Sequence, residues 1–152
     1  MGKITKQELA SAFVASDINA APTNIAVSGM TDGQYLGITA IETMAASCSI
    51  YNLLYMSSSG YDKAIASADS TMPCVAMCLE TGTGSKTVLK TGYIKNSAWS
   101  FTTGQMLYVS PSSAGLITST KPVTTGQRMQ IVGHAVSSTV IFFNPQYLFV
   151  EI

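Results

Sequence analysis

The feature that most constrains this chain is a run of short apolar and hydroxyl-rich segments between Gly92 and Pro145, separated by glycine, serine and proline turns. Segments of this length, bounded by turn residues at short intervals, are typical of the strands of a β-sandwich or barrel. The run holds very few ionisable side chains. Because catalysis needs paired ionisable or nucleophilic groups, the run predicts a surface that packs and associates rather than an active site.

The charge composition argues against two classes of partner. Charged residues are 11% of the 152 residues, and eight basic side chains balance eight acidic ones. A net charge of zero provides no general attraction to nucleic acid or to an anionic membrane, and little repulsion between subunits. No segment has the length of a membrane span, and no apolar region follows Lys3 and Lys6. We therefore expect no secretory signal, no nucleic-acid partner and no membrane partner.

The N-terminal segment, residues 1–22, differs from the rest of the chain. Thr5 and Glu8 have the spacing of a helix capping box. Leu9 and Phe13 then form a thin apolar stripe at helical spacing. A helix of about ten residues is marginal alone. We expect it to pack either on its own domain or, as an assembly arm, on a neighbouring subunit.

Residues 23–152 are predicted to form a single all-β domain, an antiparallel β-sandwich or barrel. Ile41–Ala46 is also compatible with a helical turn. The predicted strands are 25–27, 35–41, 53–56, 75–79, 86–90, 93–95, 106–110, 116–118, 130–136, 140–143 and 147–151.

Two stretches of this domain resemble each other. Leu54–Ser57 and Leu107–Ser110 share the pattern Leu-Tyr-x-Ser, and each is followed by a glycine and later by an apolar return segment, at Val75 and Val132 respectively. The similarity predicts a duplicated hairpin motif with pseudo-symmetric halves. Chance similarity between β-rich segments is the alternative.

The ionisable and sulfur-bearing residues form no recognised catalytic or metal-binding motif. The odd number of cysteines, Cys48, Cys74 and Cys78, predicts three free thiols that act as small buried hydrophobes. His134 lies in an apolar strand and is predicted to be a packed or interface histidine. Residues 80–87 fail the phosphate-loop pattern and predict a flexible hairpin loop. We expect no enzyme activity, no cofactor and no metal.

The last two predicted strands are apolar on both faces, at 140–143 and 147–150. A sheet with one face in water should alternate polar and apolar residues, so both faces of these strands should be covered. Another subunit of the same chain is a natural cover, which predicts a stable oligomer. The candidate interface residues are Leu9, Phe13, Phe142, Phe143, Tyr147 and Phe149.

The aromatic residues around Trp99 allow a second function. Trp99, Phe101 and Tyr93 lie close together in the sequence. We favour a core role for them, because tryptophan usually supplies buried area. If the rings are exposed, Tyr93 and Trp99 become candidate glycan contacts on a sugar-stacking platform.

The succession of segments resembles a β-rich module of tailed-bacteriophage virion proteins, found in capsid decoration, head-fibre and tail-fibre proteins. The matching residues run from about Leu54 to the C-terminus and include Ser70–Pro73, Leu107–Ser110, Gln130–Gly133 and Asn144–Pro145. The resemblance implies a β-barrel-like, often trimeric subunit and no catalytic residues.

The sequence therefore predicts a virion structural protein that is made in the host cytoplasm. We expect a capsid decoration (cement) or head-fibre subunit, a homotrimer that binds the major capsid protein or another virion protein. The alternative is a tail-fibre or receptor-binding domain that attaches to host surface glycans. An exposed aromatic groove at Trp99 or Tyr93 favours the alternative, and an exposed apolar N-terminal arm favours decoration.

Overall fold

The regular structure is almost entirely β. The computed structural model describes residues 26–152, and the predicted N-terminal helix, with Leu9 and Phe13, lies outside the described residues. Within the described part of the chain, the helical turns are two short 3₁₀ segments, Val27–Gly29 and Asp69–Thr71. The all-β prediction is therefore confirmed for residues 26–152.

Eleven strands occur in the described residues. They are β1 (Tyr35–Cys48), β2 (Leu53–Ser57), β3 (Gly60–Lys63), β4 (Cys74–Cys78), β5 (Gly82–Lys95), β6 (Met106–Val109), β7 (Ile117–Thr118), β8 (Arg128–Met129), β9 (Ile131–Ala135), β10 (Val140–Phe143) and β11 (Val150–Glu151). β10 has the predicted bounds, and β3 and β8 are additional strands. Val27, predicted to end a strand, instead begins a 3₁₀ turn.

Two strands are much longer than predicted, because β1 and β5 each have 14 residues and pair with each other. The alternative of a helical turn at Ile41–Ala46 is wrong, since that segment lies within β1. The strands predicted at 86–90 and 93–95 are one strand, and the loop predicted at 80–87 is already strand from Gly82. The long β1–β5 ladder overrides the helix propensity of the alanines in β1.

Five strands close into a barrel in the order β1-β3-β2-β4-β5, and the β1–β5 pairing completes the ring. The neighbouring pairs are antiparallel except β1 and β3, which are parallel at Met44 and Tyr61. The predicted antiparallel sandwich or barrel is thus a closed barrel with extra strands, and it is mostly antiparallel.

β5 extends beyond the barrel and carries four more strands, in the order β10-β9-β6-β7. This arrangement creates two cores. Val88 points into the barrel, whereas its neighbour Leu89 belongs to a larger core between the barrel and the added strands. The larger core also contains Ile94, Ile141 and Phe143, all fully buried. At Val88 and Leu89, β5 is therefore buried on both faces by the chain itself.

The predicted hairpin repeat is present in the strand pairing. β2 lies between β3 and β4, and β6 lies between β7 and β9, with antiparallel pairs throughout. The β2–β4 ladder shifts register between Leu54 and Tyr55, and the β6–β9 ladder shifts between Leu107 and Tyr108. The same Leu-Tyr pair thus marks a register shift in both halves.

A row of glycines crosses the sheet where β5 leaves the barrel. Gly37, Gly92 and Gly133 lie in one register with Phe143 and Leu107. A Cβ atom on each glycine would lie 2.1, 2.3 and 2.1 Å from a carbonyl oxygen of the neighbouring strand. Such close strand approach is possible only without a side chain, so this glycine row allows the neighbouring backbones to come close.

Gln130 is a fully buried polar side chain that joins three segments. Its Oε1 accepts a hydrogen bond from the Cys74 N–H at 2.7 Å, and its Nε2 donates to the Cys74 carbonyl at 2.8 Å. The same Nε2 also donates to the carbonyl of Gln146. Gln130 therefore ties the start of β4 to the segment that precedes the C-terminus.

The prediction of three free thiols is wrong, because Cys48 and Cys78 form a disulfide. Both cysteines end strands that flank β5, and both belong to the barrel core. The closure of the barrel brings them together across 30 positions of sequence. Cys74 is the free cysteine among residues 26–152, and its complete burial raises the pKa of its thiol to about 12.

Candidate functional site

Five strands present one apolar row on the sheet face opposite the larger core. The row consists of Leu36, Tyr93, Phe142, His134 and Met106, each opposite the next in register. The Tyr93 and Phe142 ring centroids lie 4.8 Å apart, and those of His134 and Phe142 lie 5.8 Å apart. Tyr93 and Phe142 are half-buried, while His134 is exposed. The outer face of β10 is therefore partly covered by its own neighbours.

The candidate interface residues of the two C-terminal segments divide into three environments. Phe142 lies in the apolar row, whereas Phe143 is completely buried in the larger core. The assignment of Phe143 to an interface is wrong, because the chain's own core covers it. Phe149 is half-buried and packs against that core, and Tyr147 is 72% exposed.

The C-terminal tip, residues 147–152, has several exposed apolar side chains. Tyr147, Leu148 and Val150 are 72%, 85% and 58% exposed. Only Val150–Glu151 is a strand, so the strand predicted over 147–151 is mostly wrong. The strand of the tip, β11, pairs with β8 in a two-stranded sheet that is separate from the main sheet.

Arg128 anchors the tip to the body of the protein. Its Nε donates to the Asp69 carboxylate at 2.6 Å, and its Nη2 lies 3.7 Å from the Glu151 carboxylate. The hydrogen bond from Arg128 lowers the pKa of Asp69. Main-chain hydrogen bonds between Ile152 and residues 126–127 complete the attachment. The apolar side chains of the tip are thus held on a fixed backbone.

Trp99 lies in a second aromatic cluster, separate from the apolar row. Its ring centroid is 5.3 Å from that of Tyr51 and 5.7 Å from that of Phe101. Tyr93, which the sequence grouped with Trp99, instead contacts Phe142. The predicted Trp99–Phe101 contact is present, and Tyr51 is the aromatic partner that sequence proximity missed.

The Trp99 ring is half-buried, because it packs against the larger core and also lines an open cleft of about 280 Å³. One side of Trp99 therefore has the predicted core role, and its other side faces an open cleft, as the aromatic-groove alternative requires. The cleft residues are apolar, aromatic or amide-bearing: Ile50, Tyr51, Asn52, Asn96, Trp99, Leu116 and Ile117.

A polar cluster joins β1, β3 and β5 of the barrel. The Lys90 ammonium donates to the Tyr61 hydroxyl at 2.7 Å and lies 2.9 Å from the Glu42 carboxylate, which also accepts from the Tyr61 hydroxyl at 3.2 Å. Partial burial opposes the charged form of Lys90, but the hydrogen bonds to Tyr61 and Glu42 outweigh it and raise the pKa of Lys90. The opposite charges of Lys90 and Glu42 are therefore paired within the cluster.

Between residues 26 and 152, no group of three or more histidine, cysteine or acidic side chains could hold a metal ion. The same part of the chain contains no helix with the length and apolar character of a membrane span.

Comparison with protein-family models, with curated proteins and with solved structures finds no match to this chain. The surfaces described above are therefore the observations that bear on its function.

Proposed function

We propose that this chain is a virion structural protein of a tailed bacteriophage, a capsid decoration or head-fibre subunit that acts by protein–protein assembly. The observation that carries the proposal is the C-terminal tip, in which Tyr147, Leu148 and Val150 are 72%, 85% and 58% exposed. A contiguous exposed apolar segment is typical of a surface that another protein covers.

Two further properties support an assembly role. The net charge is zero, so identical copies repel one another very little. The order of the β segments resembles that of phage decoration and fibre modules, which are often trimeric. We propose that the tip contributes to a homotrimer, and that the N-terminal arm, through Leu9 and Phe13, binds the major capsid protein or another virion protein. The protein is made in the host cytoplasm and resides in the virion.

Particle association tests this function directly. An antibody against the chain should label the heads of tailed-phage particles purified from the source of the sequence, with electron microscopy as the readout. Labelling confined to tail fibres would favour the receptor-binding alternative. Presence of the protein in the lysate but not on purified particles would overturn the virion assignment.

The arm is tested separately in the full-length protein. Leu9→Asp with Phe13→Asp should abolish particle binding in a pull-down assay, because both changes place charge in the apolar stripe. Ser11→Asp with Ala15→Asp is the matched control, since both residues lie outside that stripe, have the same four-residue spacing and receive the same two charges. Equal loss of binding in both variants would show that charge, rather than the stripe, is responsible.

A further inference from the structure

The cleft beside Trp99 has the composition of a small-molecule site. Binding pockets are mostly apolar and aromatic, with a few polar groups that fix orientation, and they usually measure roughly 300–1,000 Å³. This cleft measures about 280 Å³ and therefore has room for a single small ring. None of its lining residues carries a charge.

Its aromatic wall is held in a fixed position. Tyr51 has a φ of 71°, which makes it the one non-glycine residue with a left-handed backbone in the described residues. Its N–H donates to the Cys78 carbonyl at 2.7 Å, and its hydroxyl donates to the Lys95 carbonyl at 3.2 Å. Tyr51 and Trp99 meet with their ring planes at 59°, so they form an angled wall rather than a flat stack.

The polar groups of the cleft include a hydrogen-bond donor that is available to a ligand. The Asn96 Oδ1 accepts from the Ala98 N–H at 2.9 Å, and the Asn96 amide NH₂ makes no hydrogen bond within residues 26–152. Nearby, the Asp32 carboxylate accepts from the Ser97 N–H. The uncharged lining of the cleft offers no cationic partner to an anionic ligand.

We propose that the Trp99–Tyr51 cleft binds one neutral pyranose unit of a saccharide. The C–H bonds on one face of a pyranose ring are apolar and slightly positive, which matches the negative face of an aromatic ring. The ring hydroxyls would accept a hydrogen bond from the Asn96 amide NH₂. Saccharide binding at this cleft would favour the receptor-binding alternative over decoration. It is measured on the isolated protein, so its failure is distinguishable from failure of the virion assignment, which the particle experiment tests.

The experiment uses the fact that Trp99 is the chain's single tryptophan. The full-length protein is titrated with glucose, galactose, N-acetylglucosamine and N-acetylgalactosamine, with N-acetylneuraminic acid as the charged comparison. Tryptophan emission and the indole N–H resonance both report the cleft. We expect a saturable change with at least one neutral sugar and a weaker change, or none, with N-acetylneuraminic acid.

Two variants of matched chemistry test the location. Leu116→Glu changes a rim residue that is 50% exposed, so the fold should persist while saccharide affinity falls at least about tenfold. Val123→Glu changes a 73% exposed residue outside the cleft and should leave affinity unchanged. A decaproline peptide is the competing probe. Binding of this peptide without any neutral sugar, an equal response in both variants, or no saturable response to any sugar would overturn the proposal.

Discussion

At the scale of single residues, Gln130 shows how one buried amide can hold separate segments together. Gln130→Leu removes the partners of both the N–H and the carbonyl of Cys74. A buried polar group without a partner costs about 1–3 kcal/mol. We expect the variant to lose about 3 kcal/mol of unfolding free energy, which corresponds to a fall of roughly 10 °C in the melting temperature.

The control for this prediction is Gln146→Leu. Gln146 is exposed and contributes its backbone carbonyl, rather than its side chain, to the contact with Gln130. The same chemical change should therefore leave the melting temperature nearly unchanged. Equal melting temperatures for the Gln130 variant and the parent, measured by calorimetry, would contradict the clamp role.

At the scale of elements, the close approach of strands at the glycine row is testable. Gly37→Ala would introduce steric overlap without backbone strain, because its Cβ would lie 2.1 Å from the Thr91 carbonyl oxygen. Gly104→Ala would introduce backbone strain without overlap, since φ is +82° and no atom lies within 4 Å of the added Cβ. Gly92→Ala would introduce both, with φ at +144° and a contact of 2.3 Å.

We expect losses of about 1–2 kcal/mol for Gly104→Ala and about 1–3 kcal/mol for Gly37→Ala. Gly92→Ala should exceed either, because strain and overlap act together. Urea unfolding at equilibrium measures all three. A Gly37→Ala variant as stable as the parent would show that the strands do not need to approach so closely.

Much of the order of the strands could be predicted from the sequence, but the closure of the barrel could not. Strand periodicity located β2, β4, β6, β9 and β10, because each is short, apolar and bounded by turn residues. The repeated Leu-Tyr pair also predicted the two related hairpins. The 14-residue length of β1 was missed, since its Met44–Ala46 segment favours helix until a partner strand is present.

The missed site features share a physical cause, which is long-range contact. Cys48 and Cys78 meet only after the barrel closes, so counting cysteines could not pair them. Tyr51 and Trp99 are far apart in sequence and belong to different loops, which left Trp99 grouped with Tyr93 instead. Local spacing identifies groups on one strand, whereas these contacts depend on how strands from both halves are joined.

At the scale of the whole molecule, the buried strands and the C-terminal tip differ in whether a partner subunit is needed to cover them. The inner faces of β5 and β10 pack in the larger core, so folding does not require a second subunit to cover them. Three apolar side chains of the C-terminal tip, Tyr147, Leu148 and Val150, lack such cover in the described chain and are 72%, 85% and 58% exposed. Any self-association should therefore depend on the tip more than on the buried strands.

Leu148, the most exposed apolar side chain of the tip, tests whether self-association depends on the tip. Leu148→Lys should convert the oligomer to a monomer in light-scattering measurements at micromolar concentration, because a charge would be buried without a partner at the interface. Its melting temperature as a monomer should match that of the diluted parent, since Leu148 is 85% exposed. Ile41→Lys is the comparison, because Ile41 is 77% exposed on the outer wall of the barrel. Dissociation by Ile41→Lys alone would move the interface to the barrel wall, and a monomeric parent protein would contradict self-association altogether.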